Sequence, residues 1–148
     1  RERQPGLSLG GWANPHRDAR KQVKYLGADD FCADFYLTQI VSHHDPALVA
    51  RFLDEGRRRG LQLPGLFGVF YYRSANPRTL ATLGRFLDVP AVALTREFEA
   101  GATAEDVCAR TIRALLDLGA RHFYVSNLPV GRAAQTLSAI MKRVATRV

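Results

Sequence analysis

The chain has 148 residues, 47% of them hydrophobic, and a formal net charge of +7. This length suits one domain, and no run approaches the roughly 18 apolar residues that predict a membrane span. The basic residues are dispersed and do not alternate with aromatic side chains, so we expect neither a nucleic-acid nor a membrane partner. Solvated helix faces explain the charge, and attraction for an anionic small molecule such as a dinucleotide or a polyglutamate tail is the functional alternative.

The two cysteines and the first residues of the chain bear on its location and completeness. Cys32 and Cys108 are far apart and lack the spacing of a metal site, which indicates reduced thiols and predicts a cytoplasmic protein. The first residues have no signal-peptide shape and lead almost at once into an apolar run. We therefore expect the chain to be the second half of a longer one.

Four short apolar segments, each followed by a helical pattern, predict a parallel β/α architecture with right-handed crossovers. The predicted strands span residues 7–12, 35–41, 63–71 and 122–127. The first predicted helix begins at Pro15, with Asn14 as its N-cap, and runs to about Ala28. The second begins at Pro46 with Asp45 as its cap and ends at Gly60, after a last turn that holds the arginine run 57–59.

The remaining helices follow the third and fourth strands. Leu80, Leu83, Phe86 and Leu87 predict a helix that stops before Pro90, and the irregular stretch 89–101 is expected to hold a short helix or strand. Thr103 and Asp106 predict a capping box for a helix that ends at Gly119, and the final helix shows apolar periodicity from Val130 to Val144. A (β/α)8 barrel needs about 250 residues, so the chain supplies only part of one.

Parallel strands point their carboxyl ends the same way, so one rim collects the side chains that end them. Gln39 ends the second strand and can present a donor and an acceptor to the edge of a pterin or nicotinamide, unless it only bonds a neighbouring loop. Tyr71 can stack on a ring or simply pack, and Asn127 can contact ligand or form a turn. At the first strand, Trp12 can stack, and His16 can bind a phosphate or belong to a helix start.

The segment His43-His44-Asp45 raises the question of a metal. Adjacent residues point in different directions, no third ligand is evident, and Asp45 already caps a helix, so the sequence predicts no metal site. No lysine lies at a strand end, which disfavours a Schiff-base aldolase, and no pair of carboxylates lies there to act as acid and base. The catalytic acid is therefore expected outside this chain, upstream of Arg1.

Three segments resemble the carboxyl-terminal half of methylenetetrahydrofolate reductase. Segment 33–39 (Ala-Asp-Phe-Tyr-Leu-Thr-Gln) is similar to the family's Ala-Asp-Phe-x-x-Thr-Gln strand. Segment 64–67 (Pro-Gly-Leu-Phe) is similar to its Pro-Gly-Ile-x strand, and segment 122–127 (His-Phe-Tyr-Val-Ser-Asn) to its His-Phe-Tyr-x-x-Asn strand. The resemblance runs from about Leu9 to Ile140 and depends on the order and spacing of the three segments.

The resemblance implies a (β/α)8 TIM barrel in which residues 1–148, the C-terminal half of one barrel domain, give strands five to eight. It implies reduction of 5,10-methylenetetrahydrofolate to 5-methyltetrahydrofolate, in one-carbon and methionine metabolism, by NADH or NADPH through FAD. The family's pterin-holding glutamine corresponds to Gln39, and its proton donor is a glutamate upstream of Arg1. The expected partners are the folate and the N-terminal half of the barrel, and a homo-oligomer stays open.

The chain departs from the family where the flavin is held. The family's Tyr-Pro-Glu-x-His becomes Trp-Ala-Asn-Pro-His over residues 12–16, and its flavin-contacting lysine falls on Ala28. Trp12, Asn14 and His16 are the candidate cofactor-binding residues, and their context predicts a weakened or absent FAD site. Hydride would then pass directly from nicotinamide to folate. A folate-binding subunit without chemistry and an unrelated barrel lyase are the alternative functions.

Overall fold

A computed structural model describes residues 6–146, which form an α/β fold around one parallel sheet. The four strands of this part of the chain are β1 Gly10–Ala13, β2 Phe35–Ile40, β3 Gly65–Phe70 and β4 His122–Ser126. Its six α-helices are α1 Ala19–Leu26, α2 Pro46–Arg58, α3 Pro77–Leu83, α4 Ala91–Glu99, α5 Ala104–Asp117 and α6 Ala133–Ala145, the last preceded by a 3-10 turn at Val130–Arg132. None of these helices is both long and apolar enough to cross a membrane.

The strands lie in the order β1-β2-β3-β4, and each pairs in parallel with the next along the chain. With the right-handed crossovers usual for parallel strands, this sequential order puts the crossover helices on one face of the sheet. α1 contacts α2, α2 contacts α5, and α5 contacts α6, so the helices form one continuous layer. The predicted parallel β/α architecture is confirmed.

The two faces of the sheet differ in burial. On the helix side Tyr36 and Phe67 are 4% and 2% exposed and contact the ring of Phe52 from α2. On the opposite side Leu37 and Leu66, which pair across β2 and β3, are only partly buried. We call this second side, defined by Trp12, Leu37, Leu66 and Tyr124, the open face. A parallel sheet is normally covered on both faces.

Most of the predicted helix signals are confirmed at α2 and α5. α2 begins at Pro46 and buries Val49 and Phe52. Both halves of the predicted capping box form at α5: Thr103 Oγ1 accepts from Asp106 N at 3.2 Å, and Asp106 Oδ2 accepts from Thr103 N at 2.9 Å. The arginine run has a local partner, since Arg58 and Arg59 both donate to the buried carboxylate of Glu55.

The predicted start of the first helix is wrong. α1 begins at Ala19, and its N-cap is Asp18, whose side chain accepts from Lys21 N at 2.9 Å. Asn14 instead organises a turn, with its Oδ1 accepting from His16 N and its carbonyl accepting from Arg17 N. The helix starts late because His16 is held across the end of β2 by a 2.7 Å bond from Nε2 to the Ile40 carbonyl.

Other boundaries also differ from the sequence pattern. β1 is shorter than predicted, because Leu7 and Leu9 lie outside the sheet and are exposed. Asp45 occupies the N-cap position of α2, but its side chain makes no capping bond. α3 ends at Leu83, and Phe86, predicted on its apolar face, is 76% exposed. By contrast, the irregular stretch 89–101 holds a short helix, α4, as predicted.

The final helix is placed as predicted but is only partly covered. Ile140 is fully buried against α5, whereas Val130, Leu137 and Met141 are exposed. The apolar pattern of this helix is therefore wider than the surface that the described residues bury.

We predict that Asp106→Asn destabilises the protein more at neutral pH than in acid. Hydrogen bonds from Thr103, with Arg143 adding to them, lower the pKa of Asp106 to about 2. Stability from this ionised group is present above the unfolded-state pKa of about 4 and is lost as the pH falls toward 2. The variant keeps the cap from Thr103 but loses the charged half of the capping box, which should cost about 1 kcal/mol and lower the melting temperature by about 2–4 °C.

Thermal unfolding of the protein and the variant at pH 7 and at about pH 2.5 checks this. Asp54→Asn is the control, since it removes only an exposed ion pair with Arg57, of a kind that contributes little. An Asp106→Asn effect that is equally large at both pH values would contradict the assignment.

A second prediction concerns the close approach of β3 and β4. A Cβ on Gly68 would lie 2.5 Å from the hydroxyl oxygen of Tyr124, so Gly68→Ala must displace that ring. We expect a loss of about 1–3 kcal/mol in the free energy of unfolding, the usual cost of overpacking. Gly131→Ala is the matched control, because its Cβ meets nothing within 4 Å. Urea denaturation measures both, and equal stabilities would count against the packing described.

Candidate functional site

The candidate site is the carboxyl edge of the sheet, where the loops that follow parallel strands come together. The loop after β1 holds Asn14 and His16, and the loop after β2 holds His43 and His44. Between β3 and α5 the chain adds two helices, α3 and α4, which we call the helical insert (residues 77–99). This insert reaches both loops: Asp88 Oδ2 lies 3.7 Å from His16 Nδ1, and Glu97 contacts His43 and His44.

β2 carries a bulge at this edge. Leu37 pairs with Leu66 and Ile40 with Gly68, so Thr38 and Gln39 together stand opposite one residue of β3. Bulges occur beside active sites, where they redirect a side chain. Side chains hold this bulge in place: Thr38 Oγ1 accepts from Gly68 N at 3.0 Å, and the Tyr124 hydroxyl donates to the Thr38 carbonyl at 2.6 Å.

Gln39 lies within the bulge, and one of the two polar atoms of its side-chain amide is hydrogen-bonded. Its Oε1 accepts from Ile40 N at 2.9 Å, and within residues 6–146 its Nε2 has no hydrogen-bond partner. The side chain is partly buried. Gln39 therefore offers a fixed donor, together with the second lone pair of its carbonyl oxygen, to a polar group at this edge.

Tyr71 and Asn127 are hydrogen-bonded to each other and not to Gln39. Tyr71 is 6% exposed, belongs to the helix-side core and donates its hydroxyl to Glu105 at 2.7 Å. Burial, followed by the bond to Glu105, raises the pKa of Tyr71 to about 12. Asn127 has a positive φ of 68° and donates from Nδ2 to the Tyr71 carbonyl at 3.0 Å, which links the ends of β3 and β4.

The three residues expected at a cofactor lie on β1 and in the loop that follows it. Trp12 is 50% exposed and pairs with Leu37 on the open face. The backbone N–H of Asn14 donates to Gln22, and its Oδ1 accepts from His16 N, which leaves Nδ2 available to a ligand. His16 is held by the carbonyl next to Gln39. The sequence-predicted residues thus form two groups, with Gln39 in the first and Tyr71 and Asn127 in the second.

Glu97 is a residue that the sequence reasoning missed. Its Oε1 lies 2.5 Å from His43 Nε2 and 3.1 Å from His44 Nε2, so a third ligand does converge with the two histidines. The centroids of the two imidazole rings are only 4.0 Å apart, although these neighbouring side chains were predicted to point in different directions. Glu97 is 54 residues from His43 and lies in the stretch predicted as irregular, so no spacing in the sequence connects them.

The charges around this cluster act in opposite directions. Burial favours the neutral form of Glu97, but the hydrogen bond from His43 and the charges of both histidines and Arg110 outweigh it and lower the pKa of Glu97. Burial, followed by the neighbouring His43, lowers the pKa of His44 although Glu97 opposes the shift. The cluster therefore holds an ionised carboxylate beside an imidazole that favours its neutral form.

Two comparisons with known proteins find no match. A scan against protein-family models finds no match to this chain, and a search of curated proteins finds none either.

We predict that Thr38→Val destabilises the bulge and that Thr38→Ser preserves it. The valine leaves the buried N–H of Gly68 without its acceptor, which costs about 1–3 kcal/mol, whereas serine keeps the oxygen and loses one methyl group, worth about 0.8 kcal/mol. Urea unfolding curves of the two variants measure the difference. A valine variant as stable as the serine variant would show that the threonine oxygen does not hold the bulge.

Proposed function

We propose that the chain is half of a (β/α)8 barrel and supplies its fifth to eighth strands. Three observations support this: the strands follow one another in sequence order, the helices lie on one face, and the other face is only partly buried. In a barrel that second face turns inward and is filled by side chains. The outer edges of β1 and β4 are unpaired within the described residues, and the N-terminal half of the barrel would pair with both.

Within that barrel we propose a folate site. The observation that carries the proposal is the bulge at the end of β2, which presents the free Nε2 of Gln39 at the carboxyl edge of the sheet. A pterin ring offers an amide-like edge that an amide side chain can pair with, and the half-exposed indole of Trp12 offers a stacking surface on the neighbouring strand. The three segments that resemble methylenetetrahydrofolate reductase include this strand.

The proposed reaction is reduction of 5,10-methylenetetrahydrofolate to 5-methyltetrahydrofolate by NADH or NADPH. The five-membered ring of the folate opens to an iminium when a proton donor protonates the departing nitrogen. A hydride from the nicotinamide then adds to the methylene carbon, and the nicotinamide is oxidised. Within residues 6–146 Gln39 makes no hydrogen bond to a carboxylate, and we assign the proton donor to the N-terminal half of the barrel.

The segment between β1 and β2 does not fit a flavin. His16 Nε2 is hydrogen-bonded to the Ile40 carbonyl, and Asn14 Oδ1 accepts from His16 N, so only Nδ2 of the Asn14 amide is available to a ligand. Ala28 has no polar side chain where the family has a lysine. We therefore propose direct hydride transfer from nicotinamide to folate, with Trp12 in part of the space that a flavin would take. We also propose a cytoplasmic location, which is supported by the two free cysteines.

The folate proposal predicts a specific loss of affinity in Gln39→Ala. A neutral hydrogen bond is worth about 0.5–1.5 kcal/mol, so the Kd for 5-methyltetrahydrofolate should rise about 3- to 10-fold. Gln62→Ala is the matched control, because Gln62 is exposed and bonds only the Gly60 carbonyl. Fluorescence titration of the full-length protein measures both. An unchanged Kd in Gln39→Ala would refute the assigned role and favour an unrelated barrel lyase.

A further inference from the structure

Two adjacent histidines and a distant glutamate converge in the loop after β2. The chain turns at residues 42–45, where Ser42 O accepts from Asp45 N and Ser42 Oγ accepts from His44 N. This turn sends both imidazoles toward Glu97, and one ligand atom from each of the three residues lies within 4.8 Å of the others. Ligand atoms about 2.0–2.1 Å from a tetrahedral zinc stand roughly 3.3 Å apart. This separation lies between 2.5 Å, the distance from His43 Nε2 to Glu97 Oε1, and the 4.8 Å within which all three atoms lie.

His43 forms hydrogen bonds through both of its ring nitrogens. Thr111 Oγ1 donates to the Val107 carbonyl at 3.3 Å, so it accepts from His43 Nδ1 at 2.8 Å. On the other side of the ring, Nε2 hydrogen-bonds Oε1 of Glu97 at 2.5 Å, and a metal ion between these two atoms would replace the proton of that bond. A metal-binding histidine typically donates its other ring N–H to an outer partner in this way, which fixes the ring orientation.

His44 and Glu97 also direct ligand atoms toward the point that His43 Nε2 faces. The Nε2 atom of His44 is buried and makes no hydrogen bond in the part of the chain described, although it lies 3.1 Å from Glu97 Oε1. A buried polar nitrogen without a partner is costly and needs an explanation. Arg110 binds Oε2 of Glu97 at 2.9 Å, which orients the carboxylate and leaves Oε1 among the two imidazoles.

We propose that His43 Nε2, His44 Nε2 and Glu97 Oε1 bind one divalent transition-metal ion of the zinc class. Two imidazoles and a carboxylate form a ligand set that suits zinc and leaves a fourth position for water or a substrate oxygen. His44 also lines a cleft of about 430 Å³ that contains His16 and Asp88. The ion would join the loop after β2 to the helical insert, and this proposal does not depend on folate binding.

The test is titration of the metal-stripped full-length protein with Zn²⁺ by calorimetry and with Co²⁺ by visible absorption. We expect one ion per chain. His44→Gln and Glu97→Gln should each weaken binding by at least the 10- to 100-fold that loss of an outer partner costs. Thr111→Val, which removes only the outer partner of His43, should weaken binding about 10- to 100-fold.

Two controls separate this site from adventitious binding. His122→Gln removes an exposed histidine at the opposite end of the sheet, and Cys32→Ser removes the exposed thiol. Both variants should bind Zn²⁺ as the unaltered protein does. Wild-type protein that binds no ion, or binding that survives Glu97→Gln and His44→Gln, would overturn the proposal and leave a hydrogen-bonded His-Glu-Arg network.

X-ray absorption at the zinc edge of the loaded wild-type protein keeps the test independent of how the variants fold. Scattering from two imidazoles and one or two oxygen ligands is the expected result. A sulfur ligand, or a single imidazole, would overturn the assignment.

Discussion

The structure depends on one topological constraint: four parallel strands lie side by side in the order in which they occur along the chain. Because parallel crossovers share one hand, this order sends successive crossover helices to the same face. It buries Tyr36 and Phe67 under α2 and leaves Leu37, Leu66 and the indole of Trp12 partly exposed on the other face. The same constraint gathers the loops after each strand at one edge, which is where a barrel carries its chemistry.

That edge is shaped by two departures from regular structure. The bulge in β2 gives up part of the backbone pairing with β3 and replaces it with side-chain bonds from Thr38 and Tyr124. The helical insert extends one crossover and brings Glu97 to the loop after β2. Loops carried on a rigid sheet often hold binding residues in this way. The edge thereby holds two distinct polar centres, Gln39 and the His43-His44-Glu97 cluster.

The sequence predicts the parallel sheet and the main helices well because their signals are local. Apolar runs marked the strands, and the Thr103-Asp106 pair located the start of α5. Where local signals competed, tertiary contacts decided: both Asn14 and Asp18 can cap a helix, and the bond from His16 to the end of β2 selects Asp18. The apolar Phe86 follows the helical period but has no surface to cover it within the described residues.

The candidate site was less predictable, since its geometry depends on contacts between distant segments. Gln39 could be identified from its place at the end of a strand, but the bulge that frees its Nε2 arises from the register with β3. The burial of Tyr71 against Glu105 and the approach of Glu97 to His43 involve residues 34 and 54 positions apart. No short motif marks such pairs.

Our proposal is that this chain contributes to a folate-reducing site that works without a flavin. Its most direct test is anaerobic oxidation of reduced nicotinamide by the full-length protein, with 5,10-methylenetetrahydrofolate added and flavin content measured in the same sample. We expect oxidation that depends on the folate and proceeds in protein that contains no flavin, even after incubation with FAD. Turnover only when FAD is bound would contradict direct transfer, and no turnover in either condition would contradict the reductase assignment and leave a folate-binding subunit.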